Sequence, residues 1–266
     1  MSDQRPIGIF DSGIGGLTVL KALRERLPRE RFVYLGDTAR LPYGTKSAET
    51  VTRYALRASR FLFDHDIKLL VVACNTASAA ALPALEQALP VPVIGVVGPG
   101  ARAAERRTHG RVGVIGTEST IASGAYHRAL LALRPDLEVV ALPCPLFVPL
   151  AEEGWFDHPI TREVARIYLA PMSAAGVDTL ILGCTHYPLL RDAIAAGIGA
   201  GVLLVDSASS VAAETAELLD DRDLRSDDDG GGLSVLVTDA AARVRRIAEI
   251  ILQEHHTPLE LVDLPD

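Results

Sequence analysis

Two cysteines, Cys74 and Cys184, have the residue type and setting for proton chemistry. Each closes a short apolar run: Leu69-Leu70-Val71-Val72-Ala73 before Cys74, and Thr179-Leu180-Ile181-Leu182-Gly183 before Cys184. Each is followed by small polar residues, Asn75-Thr76 and Thr185-His186. Continuous apolar runs of this length read as strands buried on both faces of a parallel sheet, and ligands of such sheets bind where the strands end. The polar residues that follow are suited to cap a helix and offer backbone N–H groups to an anion. A helix N-terminus also lowers a thiol's pKa and favours the thiolate. One thiol removing an α-proton while a second returns a proton to the opposite face would invert a carbon centre.

Such a pair needs neighbours that set its protonation. Asp11, in Asp11-Ser12-Gly13, ends the first apolar run, and His186 lies two residues beyond Cys184. Taken alone, Asp11 reads as a helix N-cap and His186 as a hydrogen-bonded core histidine. The glycines of Gly13-Ile14-Gly15-Gly16-Leu17 permit close backbone approach and suit a carboxylate. The same loop starts a dinucleotide fingerprint, with Asp37 near the ribose position, but Thr18 stands where the third glycine belongs. Cys144, in Pro143-Cys144-Pro145, reads as a small buried hydrophobe.

The elements that must position these groups are written twice. Ile7-Gly8-Ile9-Phe10 returns as Val112-Gly113-Val114-Ile115, and Phe32-Val33-Tyr34-Leu35 as Leu137-Glu138-Val139-Val140, both 105 residues on. The Cys74 run returns at Cys184, and Val91-Pro92-Val93-Ile94-Gly95-Val96 at Gly201-Val202-Leu203-Leu204-Val205-Asp206, both 110 on. The order and near-constant offset imply duplication of an α/β unit. The expected architecture is α/β: two pseudo-symmetric domains with mainly parallel sheets and the active site in the cleft between them. Residues 1–96 plus 208–266 form the first, discontinuous domain and 97–207 the second. After a helix from Ala208, the polar Arg225–Gly232 segment reads as a surface loop, Leu233–Val237 as a strand, and Asp239–Glu254 as a helix burying Val244, Ile247 and Ile251.

Composition excludes other classes. The chain has 266 residues, 48% of them hydrophobic and 23% charged, so disorder is excluded. A net charge of −8 argues against nucleic acid as partner. No apolar run reaches the roughly 20 residues of a membrane span, and Met1-Ser2-Asp3-Gln4-Arg5-Pro6 carries no signal-peptide pattern. With no C-x-x-C pair among three cysteines, reduced thiols and a cytoplasmic setting are expected.

The quoted blocks carry a family resemblance over nearly the whole chain. Gly8–Leu17, Gly36-Asp37-Thr38-Ala39-Arg40-Leu41-Pro42-Tyr43-Gly44, Cys74-Asn75-Thr76-Ala77-Ser78 and Gly183-Cys184-Thr185-His186-Tyr187-Pro188 resemble the bacterial glutamate racemases of the aspartate/glutamate racemase superfamily. The resemblance implies conversion of L- to D-glutamate for peptidoglycan, without a cofactor or a metal, by a homodimer. It implies Cys74 and Cys184 as the acid/base pair, Cys74 acting on the D-form and Cys184 on the L-form, with Asp11, His186 and Glu152 assisting. Glu153 adjoins Glu152 and stays an alternative. Asp11, Ser12, Pro42, Tyr43, Gly44, Asn75, Thr76, Thr117, Thr120, Thr185 and His186 would bind substrate.

Four other readings stand beside it. Aspartate racemase is the nearest competitor, because motifs do not report side-chain length. A zinc enzyme with a Cys74, Cys184, His186 ligand set is a second. A non-catalytic amino-acid-binding module is a third. A pyridoxal enzyme needs a Schiff-base lysine, and Lys21, Lys46 and Lys68 lie in no cofactor motif. His255-His256 reads as an exposed tail pair without a metal role.

Overall fold

The computed structural model describes residues 3–227, 231–239, 241–254 and 259–264. His255 and His256 lie outside the described residues, as does the centre of the Arg225–Gly232 segment.

The first half alternates strand and helix: β1 (Ile7–Asp11), α1 (Leu17–Arg26), β2 (Phe32–Gly36), α2 (Ala48–Phe63), β3 (Leu69–Val72), α3 (Asn75–Ala88) and β4 (Val93–Gly95). The second half continues with α4 (Val97–Glu105), β5 (Arg111–Gly116), α5 (Glu118–Ala122), α6 (Ala125–Leu133), β6 (Glu138–Pro143), α7 (Phe147–Glu152), α8 (Pro159–Ala174), β7 (Thr179–Gly183), α9 (Arg191–Ile198) and β8 (Leu203–Asp206). The chain ends with α10 (Ala208–Asp221), β9 (Leu233–Val237), α11 (Ala241–Leu252) and β10 (Leu259–Leu261).

Two all-parallel sheets result, β10-β9-β2-β1-β3-β4 and β6-β5-β7-β8. The shared order β2-β1-β3-β4 and β6-β5-β7-β8 repeats one unit twice, and β9 and β10 extend the first sheet beyond β2. Parallel pairing forces each connection to cross over a sheet face, which is why strands bury both faces. In β3, Leu69 and Val71 enter one core while Leu70, Val72 and then Cys74 enter the other. In β7, Leu180, Leu182 and Cys184 share a face and Ile181 points oppositely. The period-2 alternation of a strand thus gives both thiols the same facing relative to their sheets.

Pairing also corrects the sequence offsets. Ile7 pairs with Phe32, and its counterpart Val112 pairs with Val139, so Phe32 corresponds to Val139 and not Leu137. Leu70 pairs with Val93 while Leu180 pairs with Leu204, a shift of one from the sequence match. The 110-residue offset of the cysteine strands stands, since Ile7 pairs with Leu69 and Val112 with Thr179.

Helix faces follow burial. α2 is capped by Ser47, whose hydroxyl accepts from Thr50 N at 3.3 Å, and it buries Val51, Ala55, Ala58 and Leu62 at helical spacing. α11 is shorter than expected, yet Val244, Ile247 and Ile251 are buried as anticipated, in the same core as β1 and α1. Ser226 is buried and Arg225 is ion-paired to Asp220, so the start of the polar segment is anchored. Among the described residues, no helix is long and apolar enough to cross a membrane.

Candidate active site

Cys74 leaves β3 and is itself the N-cap of α3, its Sγ accepting from Ala77 N at 3.4 Å. Its thiol lies 3.4 Å from Ser12 Oγ. After Cys184 the chain departs from expectation: a 3₁₀ turn, Tyr187–Leu190, precedes α9, so no α-helix starts directly beyond this thiol. The neighbour of Cys184 is His186, whose Nδ1 lies 3.7 Å from Sγ. Both thiols are almost enclosed, at 4% and 6% exposure.

Asp11 ends β1 with no exposed surface. Its Oδ2 accepts from Gly13 N and Gly16 N, each at 3.0 Å, which caps the turn into α1. Its Oδ1 receives Thr185 Oγ1 from the other half of the molecule at 3.4 Å. The reciprocal contact links Thr76, two residues past Cys74, to Thr117 at the end of β5: the hydroxyls lie 2.9 Å apart, and Thr120 closes the triangle at 3.1 and 2.9 Å. Each thiol segment therefore reaches the first strand of the opposite sheet. Glycines make this approach possible. A Cβ on Gly15 would sit 2.8 Å from His186 Nδ1 and 2.9 Å from the Thr185 carbonyl carbon, and one on Gly44 would sit 2.5 Å from Thr117 Cβ.

Pro42, Tyr43 and Gly44 lie on a turn that enters through a cis Leu41–Pro42 peptide. Pro42 is exposed, whereas Tyr43 and Gly44 are buried. Asp37 anchors this turn, accepting from Tyr43 OH at 2.6 Å, Arg40 Nη1 at 2.8 Å and Thr238 Oγ1 at 3.0 Å. The carboxylate at the apparent ribose position is consumed internally. Of the adjacent glutamates, Glu152 faces His186, with Oε1 3.4 Å from Nε2, and Glu153 is exposed. That approach is an ion-pair distance without hydrogen-bond alignment, so Nε2 is held by charge.

The two thiols have opposite electrostatic surroundings. Burial, then the charge of Asp11, pushes Cys74 up to about 12, against the opposing Ser12 and Ala77 contacts. The contact from Ala77 N at the start of α3 lowers this thiol, as a helix N-terminus should, but desolvation outweighs it. Asp11 is itself raised by burial, opposed by the His186 charge and by the Gly16 and Gly13 amides. Burial alone would lower His186, yet the contact with Cys184 and the nearby Glu152 carboxylate override it and raise the imidazole to about 10. Cys144 is fully buried, pushed up to about 12 by burial, with its carbonyl accepting Tyr187 OH at 2.8 Å.

Sequence reading missed Tyr126 on α6, whose hydroxyl donates to Asn75 Oδ1 at 2.6 Å and lies 3.2 Å from Ser207 Oγ. Among the described residues, Cys74, Cys184 and His186 do not form a metal-holding group, nor does any other set of three or more His, Cys, Asp or Glu.

Two duplicated parallel-sheet units closing a cysteine-ended strand from each onto one buried site define a class, and the chain belongs to it: the Asp/Glu/hydantoin racemase family, whose model matches residues 13–215. Within that family its close relatives are glutamate racemases. One from Geobacter metallireducens is 56% identical over 250 residues, covering 93% of each chain. A glutamate racemase isoform from Bacillus anthracis superposes with a TM-score of 0.96 at 40% identity over 99% of both chains. The Francisella tularensis glutamate racemase solved with D-glutamate superposes at 0.93, with 40% identity over 98% of both.

Proposed function

We propose that this protein interconverts L- and D-glutamate, with Cys74 and Cys184 as acid and base on opposite faces of the α-carbon. The observation that carries this is the pairing of two buried thiols at equivalent strand ends, one beside a carboxylate and the other beside an imidazole. In the L-to-D direction, the Cys184 sulfur takes the α-proton while His186 supplies compensating positive charge. Cys74, carrying its proton, delivers it to the other face of the planar carbanion. The roles exchange in the reverse direction.

An α-carbanion requires stabilisation, and the site offers donors and dryness. The hydroxyls of Ser12, Thr76, Thr117, Thr120 and Thr185, the Asn75 amide and the backbone N–H groups opening α3 are suited to the substrate carboxylates. Pro42-Tyr43-Gly44 closes the site by its backbone, since the Tyr43 hydroxyl is bound to Asp37. Asp11 holds the β1–α1 turn and sets the charge around Cys74. Glu152 sustains the charge of His186. Exclusion of water strengthens each of these terms. A Schiff base at Lys68 is disfavoured, because its ammonium is buried against Glu30, Asp3 O and Leu224 O.

The family resemblance supports further readings: a cytoplasmic homodimer without metal or cofactor, supplying D-glutamate for peptidoglycan. Two domains, 1–96 with 208–266 and 97–207, are supported by core membership. α10 and β9 pack with β1, whereas α4 packs with β5 and β7.

The test is incubation of purified protein with each enantiomer of glutamate and of aspartate in D₂O, without added cofactor. The expected result is loss of optical rotation for glutamate with deuterium entering at the α-carbon. No exchange with any of the four would overturn the reading, and exchange of aspartate alone would reassign the substrate.

A further inference from the structure

The Tyr126 side chain rises from α6 in the second half, and its ring lies beside the backbone that carries one thiol. A Cβ on Gly183, the residue before Cys184, would meet the ring at 3.2 Å, and one on Gly100 of α4 would meet it at 3.4 Å. The hydroxyl then crosses to the other half and donates to Asn75 Oδ1, the residue after Cys74, at 2.6 Å. Its second neighbour, Ser207 Oγ at 3.2 Å, begins α10, where the chain passes back to the first sheet. Tyr126, Asn75 and Ser207 are all buried, at 3%, 4% and 5% exposure. One phenol thus touches the residue preceding one thiol, the residue following the other, and the strap joining the halves.

A carboxamide has an acceptor end and a donor end. With Oδ1 of Asn75 occupied by the Tyr126 hydroxyl, its N–H groups are the end left for a ligand, and donors are what a carboxylate needs. We propose that Tyr126 is a positioning residue for the racemisation: it orients the Asn75 amide with its donors toward the substrate carboxylate. This rests on the proposed function, since it assumes Asn75 binds the substrate. The geometry also sets the sign of the effect. Loss of the hydroxyl frees the amide to rotate and present its oxygen, which repels an anion, so binding suffers before chemistry does.

The experiment is steady-state kinetics with L- and D-glutamate for wild type, Tyr126→Phe, Asn75→Ala and the double variant, alongside thermal melts. Tyr126→Phe is expected to melt cooperatively within a few degrees of wild type and raise KM for both enantiomers about tenfold, with kcat changed less than about threefold. In the Asn75→Ala background the same change should add less than about twofold, because the group it positions is gone. A wild-type KM in Tyr126→Phe, or effects that multiply fully in the double variant, would overturn the proposal. Should Tyr126→Phe fail to fold, Asn75→Ala alone carries the test: it deletes the amide donors without burying a charge, so KM must rise for both enantiomers, and a wild-type KM refutes the proposal. Wild-type racemisation is the control: its absence removes the proposed function, whereas an active wild type beside an unmoved Tyr126→Phe removes only the positioning role.

Discussion

Replacing Lys68 with methionine should lower the free energy of unfolding by about 3–5 kcal/mol, the cost of breaking a buried ion pair from one side, and leave the turnover of folded protein unchanged. The lysine lies immediately before β3 with no exposed side-chain surface. Its ammonium donates to Asp3 O at 2.6 Å and Leu224 O at 2.7 Å, and it contacts Glu30 Oε2 at 2.6 Å. Glu30 Oε1 accepts from Ser226 N at 2.9 Å, but Oε2 has no aligned hydrogen bond, so the lysine charge is what compensates it. One cation therefore ties the N-terminal segment, the α1–β2 connection and the α10–β9 connection to the base of the first sheet. Methionine fills similar volume but strands a carboxylate and two carbonyls in a dry site. In a chain of this size, each kcal/mol moves the melting temperature by roughly 2–4 °C, giving a drop of roughly 6–20 °C. Cys74 lies six residues farther along an extended strand, roughly 20 Å away, so kcat at 25 °C should hold. Calorimetry, urea melts and kinetics on the same preparations decide the matter. Adding Glu30→Leu removes the stranded charge and should recover part of the loss. A single-variant loss below about 1 kcal/mol, or a double variant less stable than the single, would refute the reasoning.

Three further outcomes follow from the site. Cys74→Ala and Cys184→Ala should each reduce racemisation by about 10²–10⁴-fold, the usual worth of a positioned acid or base, and near-normal kcat in either would remove that thiol from the mechanism. Gly15→Ala places a Cβ against His186 Nδ1 and the Thr185 backbone; the resulting displacement should lower kcat/KM on the order of 100-fold, and unchanged kinetics would show that the two halves need not approach this closely. His186 has its pKa raised to about 10 from 6.5, burial opposing and Cys184 and Glu152 prevailing. Its stabilising contribution is therefore complete below pH 6.5 and lost as pH rises through about 10. The urea-unfolding difference between wild type and His186→Gln should shrink between neutral pH and the folded-state value; a constant or growing difference would contradict a protonated imidazole.

How far the fold could be read depended on burial. The β3 and β7 runs are covered on both faces, so their apolar character is continuous and the cysteine register was legible. β6 and β8 are the edges of the second sheet, and β6 is only half-buried along its length. Their weaker pattern explains slips of two residues and one in matching the copies. Asp11, Cys74, Cys184 and His186 were visible because a strand end carries chemistry by position. Tyr126 was not, since its partner Asn75 lies 51 residues away in the other half. Glu152 and Glu153 are adjacent in sequence, and only the direction of α7 decides which faces His186. Asp37 looked like a ribose ligand until the Tyr43, Arg40 and Thr238 contacts accounted for its oxygens.

The duplicated scaffold poses a problem that the neighbouring side chains resolve. Two equivalent thiols in equivalent surroundings would share one protonation state, yet proton inversion needs one sulfur with a proton and one without. Asp11 and Ser12 surround Cys74, and His186 with Glu152 surrounds Cys184, so the copies have diverged where charge matters. Under the proposed mechanism the L-enantiomer is received by the state with the proton on Cys74. Each turnover leaves the proton on the opposite sulfur, which is the state that receives the D-enantiomer. The enantiomers are equal in energy, so a large preference for one state would slow the reverse direction at saturation. The contact of Asp11 with Thr185, beside Cys184, and its field at Cys74 let one carboxylate act on both thiols. Asp11→Asn should therefore change the ratio of the two kcat values while the ratio of kcat/KM stays fixed by equilibrium, and an unchanged kcat ratio would show that Asp11 does not set the balance between the two states.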